Sequence, residues 1–448
     1  MFICGYLRFP NSKLRENDTM NRIALFSLTI LLSLVGVDSA TAARPNILFI
    51  LGDDIGVETL GCYGGKSYRT PHLDRLAATG MRFNNGYSLP VCHPTRICIL
   101  SGRYPFRLKH PKWGSYPEAA EKQTIAHSLK KVGYATAITG KWQLTMLGKD
   151  LQHPNRMGFD EYSLFGWHEG PRYYEPLIWQ NGKERKGVED RYGPDVYTEY
   201  LIDFMERNRN KPFFAFYSMA LCHDVTDDLK EPVPHGPKGH YDTYTEMVEG
   251  MDVRVGRLMD ALDRLKLRKK TLIVFTGDNG TPKTYIHAAK KDGKLTRIPV
   301  YSRINGKDVR GGKGDLNDGG THVPLIANWQ GTVKAGQVVD DLVDFSDFFA
   351  TFTELASGSL PKNVSLDSQS FASRLLKNKP APRTWAFSEG RGKMWVRTQD
   401  WKLYADGRFF DVKHDAVETK PLDVSTLTGK SVAAHKQLKQ AMTDLTLE

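Results

Sequence analysis

A chain of 448 residues exceeds the length at which one hydrophobic core usually stops growing, so one large domain with a smaller appendage is expected. With 40% hydrophobic and 25% charged residues, the composition is that of an ordinary globular protein and excludes collagen, coiled coil and extended disorder. The formal charge of +11 suits acidic partners or a solubilising surface; without basic clusters beside stacking aromatics, nucleic acid is not among the expected partners.

Ile23 to Val37 forms an apolar run of about 15 residues, led by Arg22 and followed by Ser39-Ala40-Thr41-Ala42-Ala43. A spanning helix needs about 20 apolar residues, whereas a basic lead, a short apolar stretch and a small-residue end describe a secretory signal peptide. The expectation is a leader over 1–42, export to the periplasm or exterior, and no stable membrane span. Met20-Asn21-Arg22 makes a tidier start than Met1. Cys4 falls in the leader, and Cys62, Cys92, Cys98 and Cys222 provide no disulfide framework.

Five nearly continuous apolar runs predict parallel strands buried on both faces: Asn46–Leu51, Tyr134–Thr139, Phe213–Ser218, Thr271–Thr276 and Val323–Asn328. Helical patterns lie between them, from Thr70-Pro71 to Gly80, from Thr124 to Lys131, from Val196 to Arg209 and from Thr243 to Leu267. Alternating strands and helices predict a doubly wound, mostly parallel α/β sheet over 43–359. After a helix through Asp347–Ala356, alternating segments at Met394–Thr398, Trp401–Tyr404 and Phe409–Val412, with the turn signal Asp406-Gly407, predict a smaller antiparallel subdomain over 360–448.

In such sheets ligands bind beyond the carboxyl ends of the strands. The first strand ends in Asp53-Asp54 and the fourth in Asp278-Asn279, a set of hard oxygen donors suited to Ca²⁺ or Mg²⁺ and lacking the His and Cys expected for zinc. Three acids on one rim repel each other unless a divalent cation lies between them. Cys92-His93-Pro94-Thr95-Arg96 places a thiol where a helix begins: Pro94 suits the first turn, Gly102 the stop, and Arg96 adds charge to the positive helix end. Lys141 follows the second strand, His223 the third, and Lys313 sits in the turn Arg310-Gly311-Gly312-Lys313-Gly314. Converging cations of this kind stabilise charge on a tetrahedral group during its transfer.

The Cys-x-Pro-x-Arg stretch resembles the signature of the formylglycine-dependent sulfatases, with Thr95 where Ser is commoner. Thr70-Pro71-His72-Leu73-Asp74-Arg75, Gly140-Lys141-Trp142, Thr276-Gly277-Asp278-Asn279-Gly280 and Arg310-Gly311-Gly312-Lys313-Gly314 resemble sulfatase segments in the same order. The resemblance implies an alkaline-phosphatase-like fold and a hydrolase that releases sulfate from an organic ester. It implies Asp53, Asp54, Asp278 and Asn279 as ligands of Ca²⁺ rather than Mg²⁺. Cys92 is implied as the precursor of 3-oxoalanine (formylglycine), made by a maturation enzyme, with Arg96 steadying the aldehyde hydrate. Lys141, His223 and Lys313 would bind the sulfate, and His223 or Lys313 would protonate the leaving oxygen.

Two positions depart from that pattern. Gln143 stands where family members commonly have the histidine that takes a proton during regeneration; glutamine can hydrogen-bond but not act as a base. His93 offers either a replacement base or a capping role. His322 stands where arginine is common, and with Asp318 it would suit either a structural loop or the second metal site of a phosphodiesterase. Aromatics from Tyr162 through Trp167, Tyr173, Tyr174 and Trp179, with Trp113 and Tyr116, fit a sugar platform or a core. Sulfated carbohydrate is the favoured substrate, with aryl or steroid sulfates open. A phosphoesterase or phosphonate hydrolase, and a non-catalytic binder of sulfated glycans with unmodified Cys92, are the alternatives.

Overall fold

The computed structural model describes residues 44–225, 233–291 and 294–447, so the leader expected over 1–42 lies outside the described residues. At its centre β1 (Asn46–Gly52) is buried along its whole length, because its alternating side chains serve two cores. Ile47, Phe49 and Leu51 pack with Ile97, Ile125 and Phe348 from the helices Cys92–Ser101, Ile125–Lys131 and Asp347–Leu355. Leu48 and Ile50 face the opposite way, toward Leu73, Val196 and Val248 from Pro71–Ala78, Gly193–Arg207 and Tyr244–Arg264. Helices on both faces are what a continuous apolar strand requires.

The next strands in chain order are β2 (Met81–Tyr87), β3 (Ala135–Trp142), β4 (Glu161–Gly166), β5 (Trp179–Gln180), β6 (Lys183–Glu184), β7 (Phe213–Ser218) and β8 (Thr271–Gly277). Two outlying hairpins follow, β9 (Thr284–Lys291) with β10 (Lys294–Pro299) and β11 (Tyr301–Ile304) with β12 (Lys307–Arg310), before β13 (Leu325–Asn328) and β14 (Gln337–Asp344). The ten-stranded sheet runs in the order β14-β2-β13-β8-β1-β7-β3-β4-β5-β6. β1 pairs in parallel with β7 and β8, and β3 with β7 and β4. The doubly wound α/β expectation holds, with one correction: the run Val323–Asn328 forms β13, which is antiparallel to both β2 and β8. Burial on both faces writes the same apolar run whichever way a strand points, so periodicity carries no direction.

The smaller antiparallel sheet is β15 (Ala386–Gly390), β16 (Lys393–Arg397), β17 (Trp401–Tyr404) and β18 (Phe409–Asp411), in that order. Gly407 supplies the left-handed residue (φ +89°) of the turn between β17 and β18, as Asp406-Gly407 predicted. The helix Lys430–Leu447 covers β16 and β17. Among the described residues no helix is long and apolar enough to cross a membrane, and Cys62, Cys92, Cys98 and Cys222 are free thiols.

Candidate active site

The carboxyl ends of β1, β3, β7 and β8 meet on one rim, and backbone bonds lock them in register. Asp53 N donates to Leu221 O (2.8 Å), Cys222 N to Asp53 O (2.6 Å) and Asp278 N to Gly52 O (2.9 Å). Asp54 turns out of β1 with φ +60°, its carbonyl accepting from the Tyr244 hydroxyl at 2.8 Å. Gly140 (φ +95°) lets β3 pass β7: a Cβ there would lie 2.0 Å from Ser218 O.

These turns bring the predicted residues together. Lys141 Nζ lies 2.5 Å from Asp53 Oδ2, which is also 3.8 Å from Arg96 Nη2. Arg96 Nη2 donates to Asp278 Oδ2 at 2.9 Å, and its Nη1 donates to Ser218 Oγ. Asp54 accepts from Asn279 Nδ2 at 2.8 Å and from Lys313 Nζ at 2.7 Å. Cys92 is the first residue of its helix and is 1% exposed. The loop carrying Lys313 is fastened beside it, with Lys313 N donating to Thr281 O and Gly314 N to Pro90 O, both at 2.9 Å. Beneath the loop, backbones touch: a Cβ on Gly312 would lie 2.5 Å from the Gly319 carbonyl carbon.

Charge is distributed unevenly over this rim. Burial opposes ionisation of Asp53, yet the cations Lys141, Arg96 and Lys313 together hold it below the usual carboxylate range. Asp278 is pushed up to about 7 by burial and by the charge of Asp53. Burial also raises the Cys92 thiol. Burial and Lys313 bring His223 down to about 3, so its imidazole is neutral, while Asp54 overrides burial and keeps Lys313 protonated.

The donor set fits a hard divalent cation. One ligand atom each from Asp53, Cys92 and Asp278 lie within 4.8 Å of one another. Asp53 Oδ1 and Asn279 Oδ1 are buried and have no protein partner, which in a rim otherwise dense with hydrogen bonds marks them as acceptors for something else. The Gln143 amide is fully buried, and neither end of it has a partner.

Other candidates resolve into structural roles. His93 lies inside the helix, whose start has no side-chain cap, so the capping role is not what it does: its Nε2 donates to Ser115 O at 2.8 Å, tying the helix to the following loop, and burial lowers its pKa to about 4. Asp318 Oδ1 accepts from Arg397 Nη1 (2.7 Å) and Lys402 Nζ (3.0 Å), and His322 donates to Asn84 O (2.7 Å) while stacking on Tyr87. Of the aromatics, Tyr116, Tyr162 and Tyr173 are core. Trp167 instead lines the cleft, 5.6 Å from Lys141 Nζ, with its ring edge-on to the half-exposed Trp113 at 5.5 Å.

Residues outside the predicted set also reach the site. Ser218, at the end of β7, ties Arg96 to the Lys141 carbonyl (2.7 Å), and its strand-end position was a readable signal. Asp224, Arg297 and Arg391 line the cleft as well. Arg391 comes from the turn between β15 and β16, and nothing local in the sequence announces that approach.

A doubly wound sheet bearing acids after β1 and β8, a thiol at a helix start and a cationic ring defines a hydrolase of the alkaline phosphatase superfamily. The chain belongs to the sulfatase family within it: the Sulfatase family model matches residues 45–359. N-acetylgalactosamine-6-sulfatase of Homo sapiens is 30% identical over 419 residues, covering 82% of this chain and 75% of that one. Steryl-sulfatase of Mus musculus is 30% identical over 436 residues, covering 77% and 68%. The crystal structure of Ps i-CgsB, also solved in complex with k-i-k-neocarrahexaose, superposes with a TM-score of 0.70 at 25% identity over 90% of this chain and 92% of that one. The protein is therefore a sulfuric ester hydrolase.

Proposed function

We propose that the protein releases inorganic sulfate from a sulfated carbohydrate, using Cys92 matured to formylglycine by a partner enzyme and a Ca²⁺ ion held by Asp53, Asp54, Asp278 and Asn279. The observation that carries this reading is the buried grouping of Asp53, Cys92 and Asp278, with orphaned oxygens on Asp53 and Asn279 beside it. Ca²⁺ tolerates irregular sites rich in carboxylates, whereas Mg²⁺ demands near-ideal octahedral geometry. The ion would neutralise the clustered acids, and the matured side chain would supply the attacking oxygen as an aldehyde hydrate.

The chain's own side chains do the rest. Arg96, held by Asp278 and Ser218, orients position 92. Lys141, His223 and Lys313 bind sulfate oxygens, their charges and hydrogen bonds fixed in place before the substrate arrives. Lys313 bears a proton at rest and is the group to pass it to the leaving alcohol. His223 gives its Nδ1–H to Asp224 O (3.0 Å), so its ring binds a sulfate oxygen through Nε2 once it takes up a second proton there. Gln143 can hold an oxygen by hydrogen bonding but removes no proton, which slows regeneration of the resting site. Residues 43–359 would carry the chemistry, and 360–448 would add part of the cleft wall, in a protein exported by its 1–42 leader.

The carbohydrate assignment leans on the N-acetylgalactosamine-6-sulfatase relative, the oligosaccharide complex of Ps i-CgsB and the Trp113–Trp167 pair beside the sulfate site. Peptide mass analysis across Cys92, with sulfate release measured by ion chromatography, tests the reading. Formylglycine at position 92 with release from a sulfated saccharide is expected. Unmodified Cys92 in fully secreted, inactive protein would overturn it.

A further inference from the structure

The cleft over the site is a cavity of about 430 Å³ that Asp54, His223 and Lys313 line together with Lys283, Arg297 and Arg391, with Trp167 and Asp224 also on its walls. The three cations differ in how far they are already engaged. Lys283 Nζ is held by Asp315 Oδ1 at 2.6 Å, and Arg297 Nη1 lies 3.9 Å from Asp224 Oδ2. Arg391 sits at the tip of the β15–β16 turn with φ +51°, a left-handed conformation uncommon outside glycine, between Gly390 and Gly392. Its Nη2 lies 3.5 Å from where a Cβ on Gly314 would be, next to Lys313. Among the described residues no acidic side chain pairs with Arg391.

A guanidinium facing a cleft that already gathers one sulfate, with no acid to satisfy it, is a receptor for a second anion. We propose that Arg391 forms a second anion position, on a cavity that Arg297 also lines, and that the substrate class is a saccharide carrying another sulfate or a carboxylate near the ester that is cleaved. This rests on the sulfatase reading above. Arginine is suited to the task because its fork matches a sulfate or carboxylate with two parallel hydrogen bonds. The cavity has room for a sugar unit between the two anions, with Trp167 as a flat wall.

The test compares kcat/KM of wild type and Arg391→Gln on 4-nitrophenyl sulfate, a disulfated disaccharide and a monosulfated disaccharide bearing a uronate. A charge-assisted bidentate contact corresponds to about 10- to 100-fold. Wild type is expected to prefer a dianionic saccharide, and the substitution is expected to reduce the dianion-to-aryl ratio by that factor. Preference for the disulfate identifies the second anion as sulfate; preference for the uronate identifies a carboxylate. A ratio that Arg391→Gln leaves within twofold of wild type overturns the proposal. Failure of the wild type to hydrolyse any sulfate ester would strike the sulfatase reading instead. In that event, calorimetric binding of the disulfated disaccharide to Cys92→Ser protein, with and without Arg391→Gln, decides the second anion position alone: an unchanged Kd overturns it, and a 10- to 100-fold weaker Kd supports it.

Discussion

Two buried charge clusters in this molecule look alike in composition and differ in one respect. At the start of the helix Asp347–Leu355, Arg383 lies between Asp344 (2.9 Å) and Asp347 (2.5 Å), with Tyr104 and Ser346 donating to Asp344 at 2.5 Å each and Asp367 O accepting from Arg383 at 2.8 Å. None of the side-chain atoms of Arg383, Asp344 or Asp347 is among the buried polar atoms that lack a partner. The rim at β1 and β8 is as deeply buried, yet Asp53 Oδ1, Asn279 Oδ1 and both ends of Gln143 are unmatched. A saturated cluster holds the fold together. An unsaturated one is kept open for a ligand, since each unmatched buried polar atom costs roughly 1 to 3 kcal/mol without one.

The sharpest way to break this distinction is to remove one acid from each cluster. Asp278→Asn is expected to lower kcat on a sulfate ester by on the order of 10³-fold. Thermal unfolding of the same variant in EDTA should stay within about 1 kcal/mol of wild type, because repulsion with Asp53 is relieved as the Arg96 pair is lost. In the saturated cluster Arg383→Met should cost about 3 to 5 kcal/mol of stability by denaturant titration, since two carboxylates lose their cation, while activity per folded molecule is retained. A large stability loss for Asp278→Asn and a small one for Arg383→Met would reverse the assignment.

Glu389 offers an intermediate case, a buried acid whose nearest donor is the Phe106 N–H at 3.0 Å. Burial raises it from 4.5 to about 7. Its folded pKa lies above the unfolded one, so its contribution is fully present below pH 4.5 and is lost as pH rises through 7. Glu389→Gln is therefore expected to match wild type near pH 4.5 and to be more stable by up to about 3 kcal/mol at pH 8, read from urea midpoints at both values. The smallest effect is expected for Gln143→His. Restoring a base at that position should raise steady-state kcat by about tenfold, a change of roughly 1.4 kcal/mol, with the rate of the first turnover unaltered. Equal acceleration of both phases would remove Gln143 from the regeneration step.

Legibility in the sequence followed burial. β1, β7 and β8 are apolar along their lengths, and their ends delivered Asp53, Asp54, Asp278 and Asn279 directly. β2 went unread because Arg82, Asn84 and Asn85 interrupt its pattern. Tertiary partners answer each of them: Arg82 lies over the Tyr63 ring, Asn84 donates to Asp340 Oδ1 and Asn85 to Asp340 O. The direction of β13 went unread because it is set by pairing and not by composition. Lys141, His223 and Lys313 were legible from strand ends and a glycine turn, whereas Arg391 reaches Gly314 only through the packing of a distant sheet.

That packing carries a consequence for how such a protein can change. The β15–β16 hairpin takes its register from pairs such as Phe387 with Val396 and Ser388 with Trp395, and Trp395 Nε1 anchors it to Leu316 O at 2.7 Å. Its tip, Gly390-Arg391-Gly392, is exposed apart from half-buried Gly390, which pairs with Lys393; Arg391 and Gly392 take no part in those pairs. Selectivity can then drift through a few codons at a loop end while the reaction centre, encoded hundreds of bases upstream, stays as it is.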